Sequence, residues 1–152
     1  MNEQPDSSAD AAPECYPSHG RAWAAAMAAF LLHNVEEVAS DLPAWVAAHA
    51  ILPWLGWMAP AGWFTTAVGV LTLAMGGLAL YAMSTAPRWS GWALIVFAVL
   101  MLMNAASHVA LSVMTSSAMP GVVTAAAVNV PVFSAVLWAT LRPTHPALIS
   151  RR

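Results

Sequence analysis

The sequence predicts an all-α, polytopic membrane protein: a bundle of four transmembrane helices with an interfacial helix between the first and the second. Of its 152 residues, 60% are hydrophobic and only 8% are charged, whereas about 25% of the residues in a typical soluble domain are charged. Four apolar segments each contain roughly the 20 residues that a helix needs to cross a bilayer. Only helices or closed barrels satisfy the backbone in lipid, and the alternation typical of a barrel is missing.

The predicted membrane domain, residues 21–142, lies between two short tails. Its four helices cover about residues 22–40, 62–83, 91–114 and 121–141. Residues 1–20 are polar, acidic and proline-containing, which predicts a disordered tail, and they lack the basic start of a signal peptide. Residues 143–152 form the second tail. Pro131 is expected to disturb the fourth helix locally.

The arginines predict how the helices are oriented. The chain has no lysine, and its five arginines all fall on one side of a four-pass protein: Arg21, Arg88, Arg142, Arg151 and Arg152. The positive-inside rule therefore predicts a multi-pass protein of the cell membrane with both termini in the cytoplasm. Scattered arginines also argue against nucleic-acid binding. The bilayer and a lipophilic small molecule are the expected partners, and the sequence predicts no oligomeric state.

The segment between the first two membrane helices is expected to lie in the interface. Its central portion, Ala44 to Gly56, is too short to span a bilayer and is bracketed by prolines. Trp45, Trp54 and Trp57 are of the residue type that anchors at membrane interfaces. A helix lying over the outer end of the bundle is the favoured interpretation.

Polar side chains from three of the predicted helices reach a similar depth. In the first helix, His33, Glu36 and Glu37 share one face, because residues three and four apart are neighbours on a helix. Counted at about 1.5 Å per residue from the nearest cytoplasmic arginine, His33, Asn104 and Asn129 lie roughly 18, 24 and 20 Å along their helices. We therefore expect one shared polar site in the outward half of the bilayer.

Paired carboxylates in a membrane helix indicate function, because a charge at this depth costs several kcal/mol and no intramembrane lysine or arginine is present to pair with it. They must be protonated, bound to a metal ion or partnered by protonated histidine. The expected metal ligands are His33, Glu36, Glu37 and His108, and the expected catalytic residues are Glu36, Glu37 and His108. Asn104 and Asn129 are expected to support them, and Asp41 and His49 are weaker candidates.

Three motifs give the chain a resemblance to a known family. "HNVEE", His33 to Glu37, matches an H-x-x-E-E motif, His108 within "NAASH" matches a second histidine, and "AMPG", Ala118 to Gly121, matches a Y-x-P-G motif with alanine in place of tyrosine. With these motifs the chain resembles the HXXEE-domain family of small bacterial membrane proteins, over about residues 25–140. The family's function is unassigned, so the resemblance implies an architecture and a residue set but no reaction.

Three functions fit these residues. The first, narrowly favoured, is a membrane-embedded metalloenzyme that uses a divalent metal, iron or zinc, on a lipophilic substrate, since two histidines and a carboxylate suit both metals. The second is a metal-free isomerase or terpenoid cyclase in which a protonated glutamate acts as the general acid. The third is a proton or metal-ion carrier, or a subunit of a larger complex, without enzymatic activity.

Overall fold

The computed structural model describes residues 19–49 and 61–142, and the regular secondary structure of these residues is entirely helical. Five helices follow one another along the chain: α1 (Gly20–Ala39), α2 (Leu42–His49), α3 (Ala61–Thr85), α4 (Ser90–Thr115) and α5 (Val122–Leu141). The predicted all-α class is confirmed. The expected tails fall almost wholly outside the described residues.

Three of the helices are long and apolar enough to cross a membrane: α3, α4 and α5. They suggest a membrane protein, as the composition predicts. The first predicted span, α1, is 20 residues long but carries Arg21, Glu36 and Glu37, so the structure supports three spans by composition and the fourth stays a prediction. The interfacial helix also stays a prediction, because α2 covers only its first part and residues 50–60 lie outside the described chain.

The ends of three helices meet at one end of the bundle. His19 before α1, Arg88 between α3 and α4, and Thr140 near the end of α5 line a common pocket. The arginines that the structure describes, all predicted to be cytoplasmic, therefore lie at helix ends on the same side of the bundle. Which side of a membrane this end faces stays a prediction from the positive-inside rule.

The fifth helix changes its geometry in the middle. It is α-helical over Val122–Thr124, forms a π-helical turn over Ala125–Asn129 and is α-helical again over Val130–Leu141. Pro131 lies two residues after the end of the π turn; it has no N–H to donate, and its ring would clash with a carbonyl of the preceding turn in a regular α-helix. The wider turn accommodates the proline, and it is the local disturbance that the sequence predicts.

An aromatic cluster joins α1, α4 and α5. The ring of Phe97 lies 5.4 Å from Phe30 and 5.3 Å from Phe133, both edge to face, and stacks at 6.2 Å on Trp23. Trp23 Nε1 also donates to Ser90 Oγ at 2.8 Å. We refer to Trp23, Phe30, Phe97 and Phe133 as the aromatic cluster. Such edge-to-face and stacked pairs stabilise packing beyond the area they bury, so the cluster fixes the three helices against one another.

The third helix lies at the margin of this arrangement. It packs mainly against α1, whereas α4 packs mainly against α5. Many of its aliphatic side chains are exposed, including Val70, Leu73 and Leu80. An exposed aliphatic surface of this kind suits contact with lipid chains rather than with water.

Candidate metal centre

Three ionisable side chains from α1 and α4 meet inside the bundle. Glu37 Oε1 lies 3.2 Å from His33 Nε2 and 3.0 Å from His108 Nε2. The two imidazole rings are edge to face with centroids 4.9 Å apart, and one ligand atom from each residue falls within 4.8 Å of the others. We refer to His33, Glu37 and His108 as the trio. Helical spacing within α1 and the matching depth of His108 in α4 bring the three together.

The trio is shielded from solvent. The exposed fraction is 1% for His33, 2% for His108 and 8% for Glu37. Burying an ionised carboxylate is costly unless the charge is paired or binds a metal. Within the described part of the chain, the ion-pair partners of the Glu37 carboxylate are these two imidazoles, so its charge must be balanced inside the trio.

Both ring nitrogens of His33 have polar neighbours. Nδ1 lies 3.0 Å from Thr124 Oγ1 of α5, and this hydroxyl oxygen is also 3.2 Å from Gly121 O. Nε2 faces Glu37 Oε1 at 3.2 Å. A buried carboxylate oxygen this close to a ring nitrogen is stabilised by a proton on that nitrogen or by a metal ion between the two atoms.

Asn104 contacts the same imidazole from α4. Its amide nitrogen Nδ2 lies 2.8 Å from His33 Nε2, one helical turn before His108. Asn104 therefore adjoins the trio at the ring nitrogen that also faces Glu37.

The backbone of Gly121 covers one side of the trio. Its φ is +90°, a conformation that glycine adopts without strain. A Cβ added at this position would come within 2.8–2.9 Å of carbon atoms in all three members of the trio. Sequence reasoning recognised "AMPG" as a motif but missed this contact, and it missed Thr124 altogether. In the sequence, the Pro120–Gly121 pair was the one indication of an unusual backbone conformation at this position.

The Glu36 carboxylate holds the start of α5. Oε2 accepts from the backbone N–H of Thr124 at 2.7 Å, and Oε1 accepts from that of Val123 at 3.2 Å. The first N–H groups of a helix lack partners within it, and negative charge is favourable at this end. Glu36 thus anchors α5, and with it Thr124, beside α1. Its expected role as a metal ligand or catalytic residue stays a prediction.

The remaining candidates lie apart from the trio's hydrogen bonds. Asn129, at the end of the π turn, is fully buried, and neither atom of its amide has a hydrogen-bond partner among the described residues. Asp41 is exposed, and its Oδ1 accepts from Ala44 N at 3.2 Å, so it caps the start of α2. His49 contacts Trp45, stacking on its ring at 4.2 Å and bonding to its carbonyl oxygen at 2.8 Å.

A cavity of about 330 Å³ adjoins the trio between α1, α3 and α4. His33, Asn34, Glu37 and Asn104 form its polar end, and the rest of its lining is apolar. Asn34 Nδ2 donates to Thr72 Oγ1 at 2.9 Å, a contact that joins α1 to α3 at this end. Sequence reasoning passed over Asn34, although it lies inside the "HNVEE" motif.

Comparison with known proteins supports the resemblance that the motifs suggest. No curated protein and no solved structure matches the chain. One family model, described as "Protein of unknown function with HXXEE motif", matches residues 23–136, which include most of α1, all of the trio and most of α5. The chain therefore belongs to the HXXEE family.

Proposed function

We propose that the trio binds one divalent metal ion, zinc or iron, and that the protein is a membrane-embedded metalloenzyme acting on a lipophilic substrate. Two histidines and one carboxylate are the donor set of catalytic zinc sites that keep one position for water or substrate. The same set with open positions suits non-haem iron. Thr124, at Nδ1, would hold the His33 ring in place, and Asn104 would lie beside the ligating nitrogen Nε2.

The observation that carries this proposal is the convergence of two imidazole nitrogens on one buried carboxylate oxygen. Glu37 Oε1 lies 3.2 Å from His33 Nε2 and 3.0 Å from His108 Nε2, and a buried carboxylate is costly unless its charge is paired or binds a metal. Ligands bonded at about 2.0–2.2 Å to one ion in a tetrahedron lie about 3.4 Å apart. The separations of 3.0 and 3.2 Å around Glu37 Oε1 need only small adjustments to reach that geometry.

The chemistry of such a site follows from its open position. His33 and Glu37 both line the cavity, so a ligand in the cavity reaches the metal from that side. A bound divalent metal would polarise a substrate oxygen or lower the pKa of a bound water. The residues of the chain would orient the metal, and the low-dielectric surroundings would strengthen its electrostatic effect.

A metal-free acid/base enzyme is the second candidate, and one observation favours it. A proton on either imidazole would balance the Glu37 carboxylate as well as a metal ion would, because Glu37 Oε1 lies within hydrogen-bond distance of both Nε2 atoms. The trio would then pass a proton to and from a lipophilic substrate, as an isomerase or cyclase does.

The metal content of the purified protein distinguishes the two candidates. The full chain is expressed with zinc or iron in the medium, purified in detergent and analysed by inductively coupled plasma mass spectrometry. We expect about one metal ion per chain, and a more than tenfold loss in His33→Ala, His108→Ala and Glu37→Gln. Asp41→Asn, outside the trio, is the matched control and should keep the metal. A folded protein without metal from either medium would refute the metalloenzyme proposal and leave the acid/base enzyme.

We propose further that α1 is the fourth membrane helix and that both termini face the cytoplasm. In support, α1 exposes Leu31, Leu32 and Val35 on the side opposite its buried polar residues, which suits contact with lipid. Cys15, the only cysteine, tests the topology directly. A membrane-impermeant maleimide should leave Cys15 unlabelled in intact cells and label it after the membrane is opened. Labelling in intact cells would reverse the proposed orientation.

A further inference from the structure

We propose that the cavity between α1, α3 and α4 binds a single-chain lipid, a fatty acid or a fatty alcohol, which reaches the trio sideways from the bilayer. The inference deepens the proposed function and rests on it, because it names the class of substrate that the trio would act on. Three features of the cavity support it: its opening, its polar end and its volume.

The opening lies between two helices that turn aliphatic side chains outward. The cavity lining includes Leu71 of α3 and Leu100 of α4, whose exposed fractions are 52% and 57%. Because α3 packs mainly against α1, and α4 against α5, the cavity between α3 and α4 has a side open at the surface. The surface on either side of this opening, including Val70 and Val96, is aliphatic. A ligand dissolved in the bilayer would therefore enter without passing through water.

The polar end of the cavity suits a small head group that contains oxygen. Thr72 Oγ1 donates to Val68 O at 2.7 Å and therefore accepts from Asn34 Nδ2. This leaves Asn34 Oδ1 as the acceptor that the amide offers to a hydroxyl of the ligand. Glu37 lies one helical turn further along α1, so a head-group oxygen held by Asn34 would be near the trio.

The apolar end and the volume suit one hydrocarbon chain. Met75 and Met101 contribute unbranched, adaptable thioethers to the lining, the kind of side chain that fits chains of varied shape. The volume of about 330 Å³ is near the lower end of the range of about 300–1,000 Å³ for ligand pockets. Such a space accommodates part of one acyl chain but not the two chains and head group of a phospholipid.

Photolabelling of the full-length protein in phosphatidylcholine vesicles tests the inference. The probe is palmitic acid with a diazirine in the middle of its chain, and mass spectrometry locates the adducts. We expect adducts on Leu71, Met75 and Leu100 that excess unlabelled palmitic acid suppresses. Leu71→Trp should block the opening and reduce this labelling at least tenfold. Leu73→Trp, two residues along α3 and on another face, should not.

Four outcomes would overturn the inference. Labelling that Leu71→Trp leaves unchanged would mean that the probe does not use this opening. Adducts spread evenly over Leu71 and Leu73 would indicate ordinary contact with bulk lipid. Equal labelling of the cavity by a two-chain diazirine phosphatidylcholine would exclude selection of a single chain. A cross-link between two copies through Leu100→Cys would mean that another subunit covers the cavity.

Metal analysis of the same samples separates this inference from the proposed function. Cavity labelling in a protein without metal would refute the metalloenzyme proposal and leave the lipid site standing. Metal bound at one ion per chain without cavity labelling would do the reverse. Leu71→Trp should keep its full metal content, because Leu71 is not one of the three ligands and its side chain is 52% exposed at the opening.

Discussion

The aromatic cluster and the trio are neighbouring regions built from the same helices, and they are held in different ways. The aromatic cluster consists of rings in stacked and edge-to-face contact, with one hydrogen bond from Trp23. The trio depends on directed contacts from Thr124 and Asn104 and on a glycine backbone that leaves no space for a side chain. Fold stability and metal binding should therefore depend on different contacts, so that a substitution in one region leaves the property of the other region unchanged.

The largest effect on stability is expected in the aromatic cluster. Phe97→Ala removes the ring that contacts the other three members, and we expect a loss of about 3–5 kcal/mol in the free energy of unfolding. Unfolding in a titration with sodium dodecyl sulfate measures it. Val96→Ala, at the adjacent exposed position, should cost far less, and the metal content of folded Phe97→Ala should be unchanged. A folded variant without metal would show that the two regions are not separable.

The largest effect on metal binding, apart from removal of a ligand, is expected at Gly121. Gly121→Ala places a Cβ within 2.8–2.9 Å of all three members of the trio, at a φ that disfavours alanine. We expect metal affinity to fall at least about 100-fold, the upper range for changes around a metal ligand, as measured by competition with a chelator. Gly69→Ala in α3, where a Cβ meets nothing within 4 Å, is the control. Unchanged affinity in Gly121→Ala would argue against a metal bound by the trio.

A smaller effect is expected from the hydrogen bond to the His33 ring. Thr124→Val keeps the shape of the side chain but removes the hydroxyl that bonds to His33 Nδ1, and the loss of such a partner typically costs about 10–100-fold in metal affinity. Thr140→Val is matched to it, because Thr140 is also on α5 and, among the described residues, its hydroxyl bonds within the helix, to Val136 O. Equal affinities of the two variants would mean that Thr124 does not orient the ligand.

The smallest effect is expected at Glu36. Glu36→Gln removes the charge that holds the start of α5, so we expect a loss of about 0.3–1 kcal/mol of stability and less than a tenfold change in metal affinity. Glu37→Gln, the adjacent substitution, should remove the metal. A loss of metal in Glu36→Gln as complete as that in Glu37→Gln would show that Glu36 is itself a ligand.

Sequence reasoning reached the helical class and the meeting of His33, Glu37 and His108, because hydrophobic length and helical periodicity are local properties. It could not distinguish the two glutamates. At about 100° per residue they lie on either side of His33, and only the position of α5 decides which one faces it. The Gly121 and Thr124 contacts depend on the conformation of a loop and on which face α5 turns toward α1. The helical periodicity of the sequence predicts neither. The composition of α1, apolar but with two glutamates, likewise leaves its crossing of the membrane a prediction.

The π turn of α5 changes which face of the helix is presented on either side of it, at the trio and at the aromatic cluster. Phe133 follows Thr124 by nine residues, which would place them on opposite faces of a regular α-helix, about 180° apart. The π turn adds the equivalent of one residue and reduces this offset to about 80°. One helix can then present Thr124 to α1 and Phe133 to α4. If residues 125–129 took up a regular α-helix without losing a residue, the offset would return to about 180° and pull either the site or the core apart, although every side chain that builds them would still be there.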